Sequence, residues 1–140
     1  MTRPIEPHGG ELKELYVTPQ DATALKAEAR ELPFWDLTPR QLCDIELLLN
    51  GGFSPLTGFL GRADYDRVVA QMRLADGTLW PMPVTLDVTE SFAENLGSDA
   101  RIALRDPEGV LVAVMTVTDH WTPDREHEAR KVFGTVDPLH

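Results

Sequence analysis

Apolar positions recur every three or four residues in the first half of the chain, which is the spacing of an amphipathic helix. After Thr18-Pro19 they are Ala22, Leu25, Ala29 and Leu32. Threonine is a favoured helix N-cap and proline is tolerated at the first helical position, so this pair predicts a helix start. The helix is expected to stop before the proline at position 33.

A second helix is predicted after Thr38-Pro39, because Thr38 and Gln41 have the spacing of a capping box. Asn50-Gly51-Gly52 is expected to end this helix in a left-handed cap. The apolar face of the helix comprises Leu42, Ile45, Leu48 and Leu49.

Two further helices follow from the same spacing. One is predicted over residues 63–72, and the other begins after Thr122-Pro123. The inner face of the first comprises Tyr65, Val68, Val69 and Met72, and that of the second comprises Ala129, Val132 and Phe133.

From Trp80 onward the period of the apolar positions changes to two, which predicts a half-buried strand over residues 80–89. Pro83 favours a sheet edge or a strand start for this segment. A short strand over residues 12–17 is predicted more weakly. The alternating positions of the first strand are Met82, Val84, Leu86 and Val88.

A second pair of strands is predicted over residues 101–105 and 110–118, joined by the turn sequence Asp106-Pro107-Glu108-Gly109. The later strand is apolar on most of both faces, so it is expected to lie centrally in the sheet. Helices followed by a strand-rich half favour one α+β domain with a mainly antiparallel sheet.

Length, charge and hydropathy exclude several classes of function. A chain of 140 residues is the size of one domain, so a single domain over residues 1–140 is predicted. Its formal net charge is -10, and its basic residues are scattered, which argues against nucleic acid and anionic membranes as partners. No apolar run approaches the roughly 20 residues of a membrane helix. No signal core follows the N-terminus, so a cytoplasmic location is expected.

The titratable residues form no recognisable metal or catalytic motif. Cys43 is the one cysteine, and its place in an apolar helical pattern predicts a buried structural thiol. His127 is expected on a solvated helix face, and His120 is a weak acid–base candidate. Neither these nor the remaining histidines, His8 and His140, have the spacing of a helical zinc site. A cation site from Asp106, Asp119 and Asp124 is less favoured than local hydrogen bonding at turns and helix starts.

The segment of residues 50–60 combines three glycines and a proline with a large apolar load. Such a loop packs either within its own domain or against a partner, and both interpretations stay open. The candidate interface residues are Phe53, Leu56, Phe59 and Leu60. Aspartate at Phe53 or Leu56 is predicted to uncouple such a partner domain without unfolding this one.

The run RQLCDIELLLNGGFSPLTGFL at residues 40–60 resembles the signature stretch of the N-terminal domain of sulfate adenylyltransferases (ATP sulfurylases). Other segments agree in order along nearly the whole chain. They are PHGG at residues 7–10, MRLADGTLWPMP at residues 72–83, IALRDPEG at residues 102–109 and VFGT at residues 132–135.

This resemblance implies a PUA-like fold, a small distorted β-barrel with helices packed around it. It also implies a longer enzyme in which sulfate attacks the α-phosphorus of Mg-ATP and yields adenosine 5′-phosphosulfate and pyrophosphate. The expected partner is a downstream catalytic domain of the same polypeptide, with assembly into homo-oligomers also open.

The catalytic motifs of the family, Gln-x-Arg-Asn-Pro with a nearby His-x-x-His and a later Gly-Arg-Asp, do not occur in this chain. Arg105-Asp106 follows Leu104 and precedes a turn, so no catalytic role is transferred to it. No catalytic, cofactor or metal residue is therefore assigned here. The alternatives are a PUA-type RNA-binding module, which the negative charge disfavours, and a small-anion regulatory domain.

Overall fold

The computed structural model describes residues 6–97 and 99–123. Within these ranges the chain divides into two compact units. The first comprises residues 6–58 and 88–118, and the second comprises residues 59–87 and 119–123. The helix predicted after Thr122-Pro123 lies outside the described residues.

Helix α1, Pro19–Ala29, begins where the sequence predicts. The side chain of Thr18 accepts a hydrogen bond from the amide of Asp21, and the proline occupies the first turn. The helix is tied to the sheet of the first unit by an ion pair between Glu28 and Arg101. The second oxygen of Glu28 accepts from Nη2 of Arg101 at 3.0 Å. The hydrogen bond from Arg101 lowers the pKa of Glu28, so this carboxylate stays charged in mildly acidic solution.

Helix α2, Pro39–Leu49, has the complete capping box. The hydroxyl of Thr38 accepts from the amide of Gln41 at 3.2 Å, and Oε1 of Gln41 accepts from the amide of Thr38 at 3.0 Å. The left-handed cap is confirmed, because Gly51 has a φ of 84°. Ile45 and Leu48 are buried on the inner face, with Gln41 buried beside them.

The prediction of a buried Cys43 is wrong, since this thiol is exposed. The inner face of α2 is set by positions 41, 45 and 48, and Cys43 lies two residues from the first two of these. Two residues correspond to about 200° around a helix. The next residue, Asp44, lies nearer the inner face, and desolvation raises its pKa although the charge of Arg40 opposes this.

The sheet of the first unit contains β1 (Phe34–Asp36), β2 (Arg101–Arg105) and β3 (Leu111–Thr116), in the order β1-β2-β3. β1 is parallel to β2, with Trp35 opposite Leu104, and β2 is antiparallel to β3. The described strands therefore form an open mixed sheet, rather than a mainly antiparallel one closed into a barrel. The turn at residues 106–109 is confirmed, because the amide of Gly109 donates to the carbonyl of Asp106.

β2 is the central strand, so the prediction of a central β3 is wrong. Ile102, Ala103 and Leu104 are all buried, whereas residues 111–115 of β3 are half-buried. Apolar residues on both faces of a strand indicate that each face is partly buried. They do not indicate how many neighbouring strands the strand pairs with.

The strand predicted over residues 80–89 is absent from the described structure, as is the one over residues 12–17. Pro81 and Pro83 lack the amide hydrogens that a strand needs for its ladder. The predicted alternation is not followed either, because Val84 is buried but Met82 is 45% exposed and Pro83 between them is buried. The carbonyl of Val84 accepts a hydrogen bond from the amide of Leu60 at 2.9 Å. Thr89 caps a short helix, α4 (Glu90–Glu94), which the sequence analysis did not predict.

In the second unit, α3 covers Arg62–Gln71 and buries Tyr65, Val68 and Val69, as predicted. Met72 departs from the prediction because it adopts a left-handed conformation that ends the helix, and its side chain is 51% exposed. The N-terminus of α3 is capped from 57 residues away, where Oδ2 of Asp119 accepts from the amide of Arg62 at 2.8 Å. The rings of Tyr65 and Trp121 lie 5.4 Å apart.

Each unit has its own apolar core. The core of the first unit comprises Leu37, Ile45, Leu48, Leu56, Ile102, Ala103, Leu104 and Val117, and that of the second comprises Leu60, Tyr65, Val68, Val69, Leu74 and Val84. Among the residues that the structure describes, the helices are all too short and too polar to cross a bilayer.

Thr38→Ala is expected to lower the free energy of unfolding by about 1 kcal/mol, because it removes one of the two bonds of the capping box. Urea denaturation followed by circular dichroism measures this loss. Thr57→Ala is the control, since Thr57 is exposed and lies outside every helix. An equal loss in both variants would contradict the role of the cap.

Asp44→Asn is expected to stabilise the chain at pH 7. Because the pKa of Asp44 is raised on folding, the native state binds more protons, and stability falls as the pH rises through that raised pKa. The advantage of the amide should therefore vanish below the ordinary pKa of aspartate, about 3.9. Urea denaturation at pH 7 and below pH 4 measures the difference, with the exposed Glu46→Gln of the same helix as control.

Candidate functional site

The apolar segment of residues 50–60 begins with a tight turn that the two glycines allow. Oδ1 of Asn50 accepts from the amide of Gly52 at 2.8 Å, and Gly51 takes the left-handed conformation. A Cβ atom on Gly51 would lie 2.7 Å from Cδ1 of Leu12. The turn therefore brings residues near the N-terminus against the end of α2.

Ser54 is the polar anchor of this segment, and the sequence analysis did not identify it. Its hydroxyl is buried, donates to the carbonyl of Gly51 at 2.6 Å and accepts from the amide of Lys13 at 2.9 Å. The following residue, Pro55, lies against Gly9, where a Cβ atom would approach its ring to 2.8 Å. The PHGG and NGGFSP runs of the sequence are thus neighbours in the first unit.

The four candidate interface residues divide by burial. Leu56 and Leu60 are only 7% and 6% exposed, so each belongs to the core of its own unit. Phe53 and Phe59 are half-buried and keep accessible surface. Much of the apolar load of the segment is therefore self-packed.

The described cation-site candidates accept backbone amides, Asp106 within its own turn and Asp119 from a residue 57 positions away. Oδ1 of Asp106 accepts from the amides of Glu108 and Val110, both at 2.9 Å, and Asp119 caps α3. His120 is exposed. Within residues 6–97 and 99–123 no three histidine, cysteine, aspartate or glutamate side chains group as metal ligands would. Asp124, His127 and His140 lie outside the described residues.

An open groove of about 490 Å³ in the first unit was not predicted from the sequence. Its aromatic walls include Trp35 and Phe92, whose ring centroids are 5.1 Å apart. Phe34 also lines it, and the guanidinium of Arg105 lies 3.5 Å from the centroid of that ring while pairing with Asp36 at 2.8 Å. In the sequence, the adjacent aromatic residues of the FWD run at positions 34–36 were the feature that could have indicated this groove.

The family comparison matches the description "PUA-like domain" over residues 5–140. Curated relatives are sulfate adenylyltransferases. The enzyme of Eremothecium gossypii is 53% identical over 130 residues, which are 92% of this chain and 26% of that protein. The enzyme of Saccharomyces cerevisiae is 50% identical over 137 residues, which are 96% of this chain and 27% of that protein.

A bacterial relative and a solved structure agree with these. The sulfate adenylyltransferase of Symbiobacterium thermophilum is 45% identical over 140 residues, covering all of this chain and 36% of that protein. The solved structure of a hexameric APS kinase from Thiobacillus denitrificans superposes with a TM-score of 0.77 at 43% identity. It covers 86% of this chain and 24% of that one.

This chain thus spans about a quarter to a third of the length of these curated relatives. The resemblance to sulfate adenylyltransferases seen in the sequence motifs is confirmed by these identities. Because the family match extends over nearly all of its residues, the chain belongs to the family of PUA-like domains.

Proposed function

We propose that this chain is the N-terminal structural domain of a longer sulfate adenylyltransferase, which forms adenosine 5′-phosphosulfate and pyrophosphate from ATP and sulfate. One observation supports this above the others. About half of the residues over more than nine-tenths of the chain are identical to named sulfate adenylyltransferases of two fungi. The proposed enzyme acts in sulfate assimilation in the cytoplasm.

We infer that the catalytic groups of the proposed reaction lie in another part of the polypeptide. Sulfate is a poor nucleophile, so its attack on the α-phosphorus needs precise positioning and cations that stabilise the developing charge. Several arginines of this chain are engaged elsewhere: Arg101 pairs with Glu28, and Arg105 pairs with Asp36. We therefore assign Mg-ATP and sulfate to the catalytic domain and no catalytic residue to the described part of this chain.

The proposed role of this domain is to pack beside the catalytic domain and to support subunit contacts. Phe53 fits this role because it stands at a turn whose backbone is fixed by hydrogen bonds and is itself only half-buried. Its amide donates to the carbonyl of Leu47 at 3.0 Å, so its position is set before a partner binds. A preorganised aromatic side chain is a common anchor of protein interfaces.

RNA binding by this PUA-like domain is the competing proposal, and the charge of the chain argues against it. Affinity for nucleic acid comes mainly from lysine and arginine side chains that neutralise phosphates. The chain has 13 such residues against 23 acidic ones.

The 140-residue chain alone is expected to release no pyrophosphate in the presence of ATP, magnesium and sulfate, because it lacks the family's catalytic motifs. The full polypeptide that contains this chain is expected to release pyrophosphate only when sulfate is added. A coupled pyrophosphate assay measures both proteins at equal concentration.

Sulfate-dependent turnover by the chain alone would contradict the assignment of catalysis to another domain. No turnover by the full polypeptide would contradict the proposed enzyme. Titration of the chain with structured RNA at low salt is the companion measurement, and tight binding that weakens steeply with salt would favour the RNA-binding alternative.

Phe53→Asp and Leu56→Asp are expected to behave differently. Phe53 is half-buried, so the aspartate should reduce contact with the catalytic domain while the 140-residue chain stays folded. Leu56 is buried in the core, so an aspartate there should destabilise the chain itself by more than about 3 kcal/mol. Thermal unfolding of the chain and the activity of the full polypeptide separate the two effects. Unchanged activity of the Phe53→Asp polypeptide would remove Phe53 from the interface.

A further inference from the structure

A hairpin at residues 72–80 projects from the end of α3 in the second unit. The helix ends at Gln71, and Met72 takes the left-handed conformation with a φ of 54°. The chain then turns back, so that the amide of Trp80 donates to the carbonyl of Met72 at 2.8 Å. Arg73 and Leu79 face each other across an antiparallel bridge.

Side chains of α3 hold the tip of this hairpin. Oδ1 of Asp64 accepts from the amide of Ala75, and Nη1 of Arg67 donates to the carbonyl of the same residue, both at 2.7 Å. Within the turn, Oδ1 of Asp76 accepts from the amide of Thr78 at 2.9 Å, and the hydrogen bonds from Thr78 lower the pKa of Asp76. The hairpin is thus fixed on both its helix side and its turn side, and it is preorganised for a partner.

The outer face of the hairpin combines apolar surface with one cation. Directly opposed residues of an antiparallel pair point to the same face, so Arg73 and Leu79 share a face. Leu74, the next residue after Arg73, is buried on the other side. Leu79, on this face, is 46% exposed.

Arg73 differs in its surroundings from the other arginines of the hairpin region. Arg62 lies 3.7 Å from the carboxylate of Asp66, and Arg67 is bonded to Ala75. Arg73 is exposed, and it forms no ion pair with the residues that the structure describes. In a chain whose net charge is -10, an arginine that no carboxylate of the described chain neutralises is available to a carboxylate of a partner.

We propose that the face formed by Arg73 and Leu79 is a second surface, besides the one at Phe53, on which the catalytic region of the longer polypeptide packs. The matching surface there presents an apolar side chain to Leu79 and a carboxylate to Arg73. The inference rests on the proposed function, because it needs the remaining length of the enzyme. The relatives supply that length, since this chain covers only about a quarter of the two fungal enzymes.

The composition of the face favours a protein surface over a phosphate ligand. Arginine is enriched in protein interfaces, and an exposed apolar side chain such as Leu79 gains from being covered. Binding of phosphate or nucleic acid calls for several basic groups together. The hairpin instead has the carboxylates of Asp64 and Asp76 close to its tip.

Chemical labelling of a cysteine introduced at Leu79 tests whether this face is covered. In a Cys43→Ser background, Leu79→Cys is expected to react with a maleimide about tenfold more slowly in the full polypeptide than in the 140-residue chain. Val110→Cys is the matched control, because Val110 is 59% exposed on the turn between β2 and β3. Peptide mass spectrometry reads each site separately. Equal rates for Leu79→Cys in both proteins would overturn the proposal.

Variants of Arg73 in the Leu79→Cys background test the carboxylate partner. Arg73→Glu in the Leu79→Cys background is expected to restore fast labelling in the full polypeptide, whereas Arg73→Lys should keep most of the protection. Arg30→Glu, an equal charge reversal at an exposed arginine of the first unit, should leave labelling slow. If Arg73→Glu and Arg30→Glu label alike, the assigned role of Arg73 is wrong.

Two measurements distinguish the proposed surface from a phosphate-binding site and from the proposed enzyme activity. Titration of the 140-residue chain with ATP and with inorganic phosphate is expected to show no binding that Arg73→Glu removes, and such binding would replace the protein partner by a phosphate ligand. Labelling also does not depend on turnover. Protection of Leu79→Cys in a full polypeptide without sulfurylase activity would support the surface and contradict the proposed enzyme. Sulfurylase activity in a full polypeptide that leaves Leu79→Cys unprotected would support the enzyme and contradict the surface.

Discussion

The left-handed backbone at Gly51 is the constraint on which the arrangement of the first unit depends. It ends α2 and turns the chain so that the hydroxyl of Ser54 reaches the carbonyl of Gly51. The same hydroxyl accepts from the amide of Lys13, and Leu12 occupies the space that a side chain at position 51 would need. One conformational requirement therefore joins the N-terminal segment, the end of α2 and the apolar segment that follows it.

Carboxylates perform the corresponding task in the second unit. Asp119 caps α3 from a distant part of the sequence, and Asp64 holds the hairpin that follows the same helix. Each carboxylate accepts a hydrogen bond from a backbone amide that would otherwise lack a partner. An anionic side chain in such a position stabilises a helix start or a turn. Part of the acidic content of the chain therefore has a structural role. The cap on α3 accounts for the position of Asp119 without a bound cation.

Helices α1, α2 and α3 were predictable because their signals are local, whereas the short helix α4 was not predicted. Thr18 and Thr38 each act through an amide three residues away, and the buried positions of α2 and α3 repeat with the period of the helix. β2 and the turn after it were found for the same reason. The long strand expected around Pro83 did not form, because ladder pairing needs amides that proline lacks. The alternation did not predict burial there either, since Val84 is buried but Met82 is exposed and Pro83 is buried.

The candidate site was predictable in its place but not in its details. The sequence alone determined that residues 50–60 form an irregular apolar segment, because glycine, proline and phenylalanine impose that chemistry locally. Only the tertiary structure decided that Leu56 is core whereas Phe53 keeps accessible surface, since burial depends on which distant residues pack around each side chain. For the same reason the order of the strands followed from contacts between remote segments, which no local pattern encodes.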